Sequence, residues 1–374
     1  MRIGIICTGD YQWAGGVYYS LSIIKLLQEI SLSKKITVVA ITNNATPKEI
    51  VKDIQLRNIK IVNLDEKSFL HKVFCKTIGI IRSIDQRFIS DINALKLDIL
   101  YPLIWYDKSH KKLNCKIYYW LYDFQHKFLP ELFSPEEINK RELNFKNIID
   151  NAEKIIVSSN DSKKHFNQFY VHSKAKVEVY NFVSLIERVG DLKEPELNIP
   201  DNYFIVCNQF WKHKNHITVI KAMDLLIKRN ENVHIVFTGK NDGVANKQYV
   251  NELVTFIKNN KLNSHITFTG FISREQQIEL IQNAKAVIQP SKFEGWSTVI
   301  EDVKALNKYL IASNIPVNVE QINENVLFFE PDDFKTLANH ISFVNKEKTI
   351  VTKSNYQNNI DSSKLKLIEL FKIE

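Results

Sequence analysis

Cysteine is scarce in this sequence and is never closely paired. The 374 residues contain four cysteines, and no two of them form a CxxC pair: Cys7, Cys75, Cys115 and Cys207. This spacing supports neither a disulfide framework nor a cysteine-based zinc site. We therefore expect a reducing, cytoplasmic setting.

Long apolar segments are missing as well. No run of about 18 uncharged apolar residues occurs, so the sequence predicts no transmembrane helix. The opening run MRIGIICTGD is too short for a secretory signal, and no small-residue cleavage site follows it.

The dinucleotide fingerprint GxGxxG is also absent, which disfavours an NAD-type domain. The segment TGDYQWAGG nevertheless places Gly15 and Gly16 between a predicted strand and a predicted helix. Glycines at a helix start allow a ligand to approach the backbone, and the helix N-terminus attracts anions. The segment therefore predicts either a loop close to phosphate or a plain tight turn.

The composition that remains is globular with a basic excess. Apolar residues make up 44% and charged residues 25% of the chain, which excludes a disordered protein. The net charge of +8 permits anionic partners. Because the basic residues are dispersed rather than clustered with aromatics on one face, we expect no nucleic-acid partner.

The order of strand and helix signals predicts an α/β fold. Short apolar runs such as RIGIIC, KIYYWLY and KAVIQPS alternate with helical patterns such as GGVYYSLSIIKLLQEI. The length suits two domains. We expect doubly wound, Rossmann-like domains over residues 1–185 and 203–359, a charged linker over 186–202, and a final helix over 360–374.

Polar residues follow several predicted strands, where doubly wound sheets bind ligands. His126 in WLYDFQHKFLP is a candidate for binding a phosphate or hydroxyl, or a structural loop histidine. Lys212 and Lys214 in CNQFWKHKNH form either a phosphate site or a solvated basic loop.

The segment EGWSTVIED combines a helix start with acids on both sides of it. Ser297 or Thr298 is the expected N-cap, and backbone N–H groups at such a start can hold a diphosphate. Glu294 precedes the helix and is suited to accept hydrogen bonds from sugar hydroxyls. A second acid inside the helix could reach a ribose.

Together these segments resemble the retaining glycosyltransferases of GT-B fold in family four, also called group 1. The most specific part is NAKAVIQPSKFEGWSTVIEDVKALNKYLIASNIPVNVEQI, and supporting parts include YDFQHKFLPELFS and NQFWKHKNH. The resemblance runs through most of the chain. It implies two domains facing across a cleft, the N-terminal one binding the acceptor and the C-terminal one binding a nucleotide-sugar donor. It also implies that the final helix, residues 360–374, packs back on the N-terminal domain.

The resemblance also implies roles for individual residues. His126, Glu294 and Lys214 would be catalytic. Sugar and diphosphate would contact Gly16, Lys212, Gly295, Trp296, Ser297, Thr298 and Val299, and the nucleoside would contact Phe271, Ile272 and Asp302.

Two positions depart from the family pattern. Asp302 stands eight residues after Glu294, where the family has a glutamate, and its neighbour Glu301 is then expected to serve helix surface or packing. Gln209 stands where the family has an arginine, so Lys212 is the candidate for the missing charge.

The implied reaction transfers a hexose-type sugar to a hydroxyl of a saccharide or lipid-linked saccharide, with retained configuration, in bacterial surface polysaccharide synthesis. No DxD motif occurs, so a catalytic metal is not expected, and the resemblance implies no other cofactor. The alternatives are a nucleotide-sugar epimerase of similar fold and a non-catalytic sugar- or nucleotide-binding protein.

One basic amphipathic segment, residues 67–88, mixes lysine and arginine with phenylalanine, leucine and isoleucine. Such a segment is typical of a helix that rests on anionic lipid. It equally fits a core helix with a solvated basic face. The first interpretation predicts peripheral attachment to the inner face of the cytoplasmic membrane.

Overall fold

A computed structural model describes residues 1–10, 13–65, 85–186, 197–240, 247–347 and 350–374. The chain divides into two compact units. The first comprises Met1–Val183 and Gln357–Glu374, and the second comprises Ser184–Tyr356. Most of the expected linker, residues 187–196, and most of the basic segment, residues 67–84, lie outside the described residues.

The first unit contains a parallel sheet of seven described strands. They are β1 (Arg2–Ile6), β2 (Thr37–Thr42), β3 (Lys60–Asn63), β4 (Ile99–Leu103), β5 (Lys116–Leu121), β6 (Lys154–Val157) and β7 (Lys176–Val179). Their order in the sheet is β3-β2-β1-β4-β5-β6-β7. The central strands are nearly continuous apolar runs because helices cover both faces of such a sheet.

Helices connect these strands and cover the sheet. They are α1 (Ala14–Ser31), α2 (Lys48–Leu56), α3 (Gln86–Ala94), α4 (Gln125–Phe128), α5 (Pro135–Asn151), α6 (Asn160–Phe169) and the tail helix α13 (Gln357–Phe371). Short 3₁₀ turns occupy Lys108–Lys112 and Pro130–Leu132. The tail helix is held in this unit by polar contacts: the Tyr180 hydroxyl lies 2.9 Å from Ser363 Oγ, and Lys154 Nζ donates to the Leu370 carbonyl at 2.7 Å.

The second unit contains a parallel sheet of six described strands. They are β8 (Phe204–Cys207), β9 (Ile235–Thr238), β10 (Ile266–Gly270), β11 (Val287–Gln289), β12 (Leu310–Ser313) and β13 (Val326–Phe329). Their order is β10-β9-β8-β11-β12-β13, in which the direction of winding reverses between β8 and β11. Doubly wound sheets bind ligands at this switch point.

The helices of the second unit are α7 (His216–Lys228), α8 (Lys247–Asn259), α9 (Arg274–Asn283), α10 (Thr298–Ala305), α11 (Pro316–Gln321) and α12 (Phe334–Lys346). Short 3₁₀ turns occupy Lys212–Lys214 and Asn263–His265. Helix α9 begins with a capping box: the Ser273 hydroxyl accepts from the Gln276 N–H, and the Gln276 side chain accepts from the Ser273 N–H.

The sheets confirm the predicted α/β class with two Rossmann-like units. The outer strands β7 (KVEV) and β13 (VLFF) were not expected from the sequence, because each is four residues long and mostly half-exposed. In the part of the chain that the structure describes, no helix is long and apolar enough to cross a membrane.

Candidate active site

Several polar residues of the second unit lie near the switch point of its sheet. Strands β8 and β11 are neighbours, with Val287 paired to Ile205, so their carboxyl ends lie side by side. Asn208 directly follows β8, and Gln289 ends β11. The loop from β8 leads into the 3₁₀ turn that carries Lys212 and Lys214, and the loop from β11 leads to Glu294.

Lys214 and Glu294 meet at this point. Lys214 Nζ lies 2.6 Å from Glu294 Oε1, and their side chains are 18% and 9% exposed. The shielded position strengthens the attraction relative to a surface pair. Two of the three residues expected to be catalytic are thus brought into direct contact.

Helix α10 starts beside this pair. The Ser297 hydroxyl caps the helix by accepting from the Ile300 N–H at 3.3 Å, as expected for an N-cap serine. The Ser297 N–H, one of the groups expected to face the donor, donates to Gln321 Oε1 at 3.0 Å. The N–H groups of Thr298 and Val299 belong to the first helical turn, which has no intrahelical acceptor.

Gly295 and Trp296 are half-buried between Glu294 and the helix cap. They directly follow Glu294, the residue that contacts Lys214, in the loop that leads to α10. Lys304, in the last turn of α10, lies 6.0 Å from the Trp296 ring centroid.

Asp302 has a different environment from the one expected. Its side chain is fully buried, and Arg274 binds both of its oxygens, with Nη1 donating to Oδ2 at 2.6 Å. The Ser184 hydroxyl donates to Oδ1 at 2.6 Å. Arginine and serine thus contact the two oxygens, and no part of the Asp302 side chain is exposed.

Glu301 is also buried, which contradicts the surface role considered for it and supports the packing role. It accepts hydrogen bonds from the Tyr356 hydroxyl and from Gln321 Nε2, the latter at 3.0 Å, and pairs with Lys304 at 2.9 Å. Burial and the neighbouring carboxylate raise the pKa of Tyr356, which therefore stays a neutral donor.

The other expected donor-site residues lie at the surface of the second unit. Phe271 follows β10 and is 50% exposed, whereas Ile272 packs against an apolar cluster of the core. Lys212 is exposed in its 3₁₀ turn. Near them, Gly239 has a φ of +130°, and a Cβ there would stand 2.3 Å from the Asn208 carbonyl oxygen, so only glycine fits.

In the first unit, Gly16 lies under the ring of Trp13. A Cβ on Gly16 would stand 2.9 Å from the Trp13 ring. The close packing of Trp13 therefore explains this glycine without a phosphate ligand. Trp13 in turn stacks on Trp120, with ring centroids 5.6 Å apart.

His126, the third expected catalytic residue, is buried within the first unit. Its Nε2 lies 2.9 Å from Glu142 Oε1, and its Nδ1 has no partner among the described residues. Burial lowers the pKa of His126, which favours the neutral imidazole.

The first unit also has a cavity beyond the carboxyl ends of β1, β2 and β3, bordered by α3 and by Trp105. The cavity measures about 270 Å³ and is lined by residues that include Cys7, Asn43, Asp65, Asp85, Arg87 and Trp105. Arg87 lies 3.9 Å from both Asp65 and Asp91, and Trp105 is 40% exposed. Among the residues that the structure describes, no cluster of histidine, cysteine and carboxylate side chains could hold a metal ion.

Comparison with known proteins identifies the second unit. The sequence model of the family "Glycosyl transferases group 1" matches residues 191–362. Residues 191–362 therefore carry a group 1 glycosyl transferase domain. The family match covers the residues that bring Lys214, Glu294 and the start of α10 together.

Two curated relatives match a longer part of the chain. The O-antigen chain mannosyltransferase RfbU of Salmonella typhimurium is 25% identical over 70% of the chain and 76% of its own length. The O-antigen biosynthesis glycosyltransferase WclY of Escherichia coli is 24% identical over 57% of the chain and 59% of its own length. These names favour a transferase over the epimerase alternative.

The solved structure of Anabaena HepE with UDP and glucose is similar in fold. It has a TM-score of 0.72, 15% sequence identity, and 99% coverage of both chains. At this identity the likeness concerns the fold alone, and it confirms the GT-B fold with its two Rossmann-like units.

Three polar residues at the site were not singled out from the sequence: Asn208, Gln289 and Gln321. All three are buried, with exposures of 6%, 0% and 4%. For Asn208 and Gln289, the available signal was a polar residue at the end of an apolar strand, as in FIVCNQ and VIQPS. Gln321 instead ends helix α11.

Proposed function

We propose that this glycosyltransferase moves a hexose-type sugar from a nucleotide-diphosphate donor to a hydroxyl of a saccharide or lipid-linked saccharide. Configuration is retained and no metal is required. The acceptor belongs to a bacterial surface polysaccharide. The observation that carries the proposal is the contact between Lys214 and Glu294 beside the start of α10.

The charges at this point match a nucleotide-diphosphate sugar. Lys214 and the N–H groups of Thr298 and Val299 are suited to stabilise a leaving diphosphate. Glu294 cannot bind phosphate, but its carboxylate can accept hydrogen bonds from sugar hydroxyls. A cation and a carboxylate in contact therefore suit the junction between the diphosphate and the sugar.

The protein residues supply charge stabilisation rather than a covalent intermediate. As the bond from the anomeric carbon to the phosphate oxygen breaks, negative charge grows on the diphosphate beside Lys214. The acceptor hydroxyl forms the new bond on the same face, and its proton passes to the departing phosphate oxygen. Retention follows because attack and departure use one face of the sugar.

The cavity of the first unit supports the acceptor part of the proposal. Carboxylates accept hydrogen bonds from sugar hydroxyls, and the exposed Trp105 ring offers an apolar face for stacking. Three nearby carboxylates, Asp65, Asp85 and Asp91, outnumber Arg87, so the cavity favours an uncharged saccharide over a phosphate.

The test is a screen of UDP-, GDP-, ADP- and dTDP-sugars by thermal shift and nucleotide release. We expect one nucleotide class to stabilise the protein and at least one of its sugars to be turned over. Activity should persist in EDTA, and the product should keep the donor's anomeric configuration by NMR. Glu294→Gln should lose at least about 100-fold in turnover while keeping its melting temperature.

Each result has a contrary outcome. If no nucleotide-sugar stabilises the wild type or is consumed, the non-catalytic binding alternative replaces the transferase. Inhibition by EDTA that is restored by Mg²⁺ contradicts metal independence, and inverted product contradicts retention.

Localisation at the inner face of the cytoplasmic membrane is the last part of the proposal. It rests on the basic amphipathic pattern of residues 67–88. Flotation with vesicles of phosphatidylglycerol should recover the protein, whereas vesicles of phosphatidylcholine should not. Equal recovery after charge reversal of the basic residues contradicts attachment through this segment.

A further inference from the structure

The amide of Gln289 contacts the carboxylate of Glu294 from inside the second unit. Gln289 Nε2 donates to Glu294 Oε1 at 2.9 Å. Gln289 ends β11 and is fully buried, so a rigid strand holds the donor group. A buried amide at this place is costly unless its groups are satisfied, and here they are.

The orientation of the Gln289 amide follows from its partners. Its Oε1 accepts from Asn208 Nδ2 at 2.9 Å, and Asn208 follows the neighbouring strand β8. If the amide were reversed, its oxygen would face the Glu294 carboxylate, and two acceptors would repel each other. The carboxylate therefore requires the N–H side of Gln289, and Asn208 secures the opposite side.

The same amide reaches the start of α10. Gln289 Nε2 also lies 3.3 Å from Ser297 Oγ, the cap of that helix, and 3.2 Å from Ser291 Oγ. Gln289 thus links Glu294 to the helix whose first turn is proposed to hold the diphosphate.

Both partners of Glu294 use one oxygen. Lys214 and Gln289 contact Oε1, and Oε2 has no partner among the described residues. A carboxylate held through one oxygen presents the other in a defined direction. Lys214 is 18% exposed on a long flexible side chain, whereas Gln289 is fully buried at the end of a strand.

We propose that Gln289 is a positioning residue that orients Glu294 toward the donor sugar, with Asn208 as its support. When the diphosphate draws Lys214 away, Gln289 remains as the hydrogen-bond donor that keeps Oε2 directed at the sugar hydroxyls. This inference rests on the proposed role of Glu294 and assigns new roles to Gln289 and Asn208.

The test uses Gln289→Met and Gln289→Glu in the full chain with the donor identified by the nucleotide-sugar screen. Gln289→Met has nearly the same size but no hydrogen bond to Glu294. We expect its kcat to fall by about 10–100-fold, since a small misplacement of a sugar-binding group costs this much. Titration with UDP and GDP should show nucleotide affinity within about twofold of the wild type, because the described contacts of Gln289 include neither Lys214 nor the N–H groups of Thr298 and Val299, which are proposed to hold the diphosphate.

Gln289→Glu tests the hydrogen bond itself through the pH dependence of kcat, which a purely structural role of Gln289 would leave unchanged. At low pH the new carboxyl group of this variant is protonated and can donate to Glu294 as the amide does. Two carboxylates side by side repel each other, so the pKa of the pair formed by this new carboxyl group and Glu294 is raised. When the pH rises far enough to ionise both groups, the repulsion turns Glu294 away from the donor sugar. We expect activity close to wild type on the acid side and a loss of kcat with rising pH that the wild type does not show.

Ser291→Ala is the matched control, since it removes a hydroxyl that contacts Gln289 without touching Glu294. It should keep wild-type kcat. Circular dichroism at each pH separates loss of orientation from unfolding. If Gln289→Met keeps the wild-type kcat, Gln289 is not a positioning residue. The same follows if its kcat falls only in proportion to equal losses of nucleotide affinity and of folded protein. Neither result contradicts the transferase activity. A wild type inactive on every donor overturns both the positioning role and the transferase activity.

Discussion

Lys214 and Glu294 stand 80 residues apart in the sequence, yet their side chains meet at 2.6 Å. Each follows a different central strand of the second sheet, β8 and β11, and the two strands are neighbours at the switch point. The pairing of these strands therefore creates the contact between a cation and a carboxylate. This contact is the feature on which the proposed donor chemistry depends.

Lys214 should matter more for diphosphate binding than Lys212. Lys214 is largely shielded beside α10, whereas Lys212 is exposed and screened by solvent. We expect Lys214→Ala to cost about 1.5–3 kcal/mol in binding of the preferred nucleoside diphosphate and Lys212→Ala less than about 1 kcal/mol. Calorimetric titration measures both, and the matching nucleoside without phosphate should show neither loss. Equal losses for the two lysines would show that Lys212 supplies the charge missing at Gln209.

Trp105 should act on the acceptor and not on the donor. Its ring is 40% exposed at the cavity of the first unit. We expect Trp105→Ala to raise the acceptor KM by about tenfold, equal to about 1.4 kcal/mol, with no change in nucleotide affinity. Phe343→Ala, at a similarly exposed aromatic residue of the second unit, is the control. An unchanged acceptor KM places the acceptor elsewhere.

The Arg274–Asp302 pair should contribute stability in an asymmetric way. Arg274→Met leaves a fully buried carboxylate without its cation, and we expect a loss of about 3–5 kcal/mol in the free energy of unfolding. Asp302→Asn should cost less, because Arg274 is 23% exposed and can reach solvent. Restoring the family residue by Asp302→Glu should cost about 1–3 kcal/mol through overpacking.

Urea unfolding measures these losses. Asp224→Asn removes an exposed pair with Lys228 and is the control, with an expected change below about 0.5 kcal/mol. If Asp302→Glu were as stable as the wild type and bound nucleotide more tightly, position 302 would serve the ribose after all.

His216 should make the second unit sensitive to acid. It is fully buried against Phe210, and burial lowers its pKa to about 3. The unfolded chain takes up a proton near pH 6.5, the ordinary value for histidine, whereas the folded chain does not. Stability is therefore fully present above about pH 6.5 and is lost as the pH falls toward 3.

His216→Phe keeps an aromatic ring beside Phe210 and removes this titration. Between pH 6 and 4 we expect the unfolding free energy of the variant to fall less steeply than that of the wild type. The two slopes should differ by about 1.4 kcal/mol per pH unit. Denaturant titrations at several pH values measure the slopes, with the exposed His172→Phe as the control. Identical slopes for wild type and His216→Phe contradict a buried neutral His216.

Much of the fold was predictable because its signals are local. Continuous apolar strands such as ILYPL and FIVC indicate a covered parallel sheet, and the capping box at Ser273 marks a helix start within four residues. The short outer strands β7 and β13 carry weaker signals, since their half-exposed residues alternate less clearly.

The candidate site was predictable only in part. Ser297 as the helix cap follows from residues beside it in the chain, and the structure bears it out. The occupied Ser297 N–H depends on Gln321, 24 residues later, and the buried state of Asp302 depends on Arg274, 28 residues earlier. The spacing of residues within a motif does not predict hydrogen-bond partners that lie this far away in the chain.

Residue order along the chain was enough to predict two α/β units, the helix start at EGWST, and the lysine and glutamate available for the donor. The contacts between buried polar atoms became visible in the folded protein alone: Gln289 with Glu294, Arg274 with Asp302, and Glu142 with His126. Secondary structure arises from neighbours along the chain, whereas a buried polar group takes its hydrogen-bond partner from whichever strand or helix packs beside it.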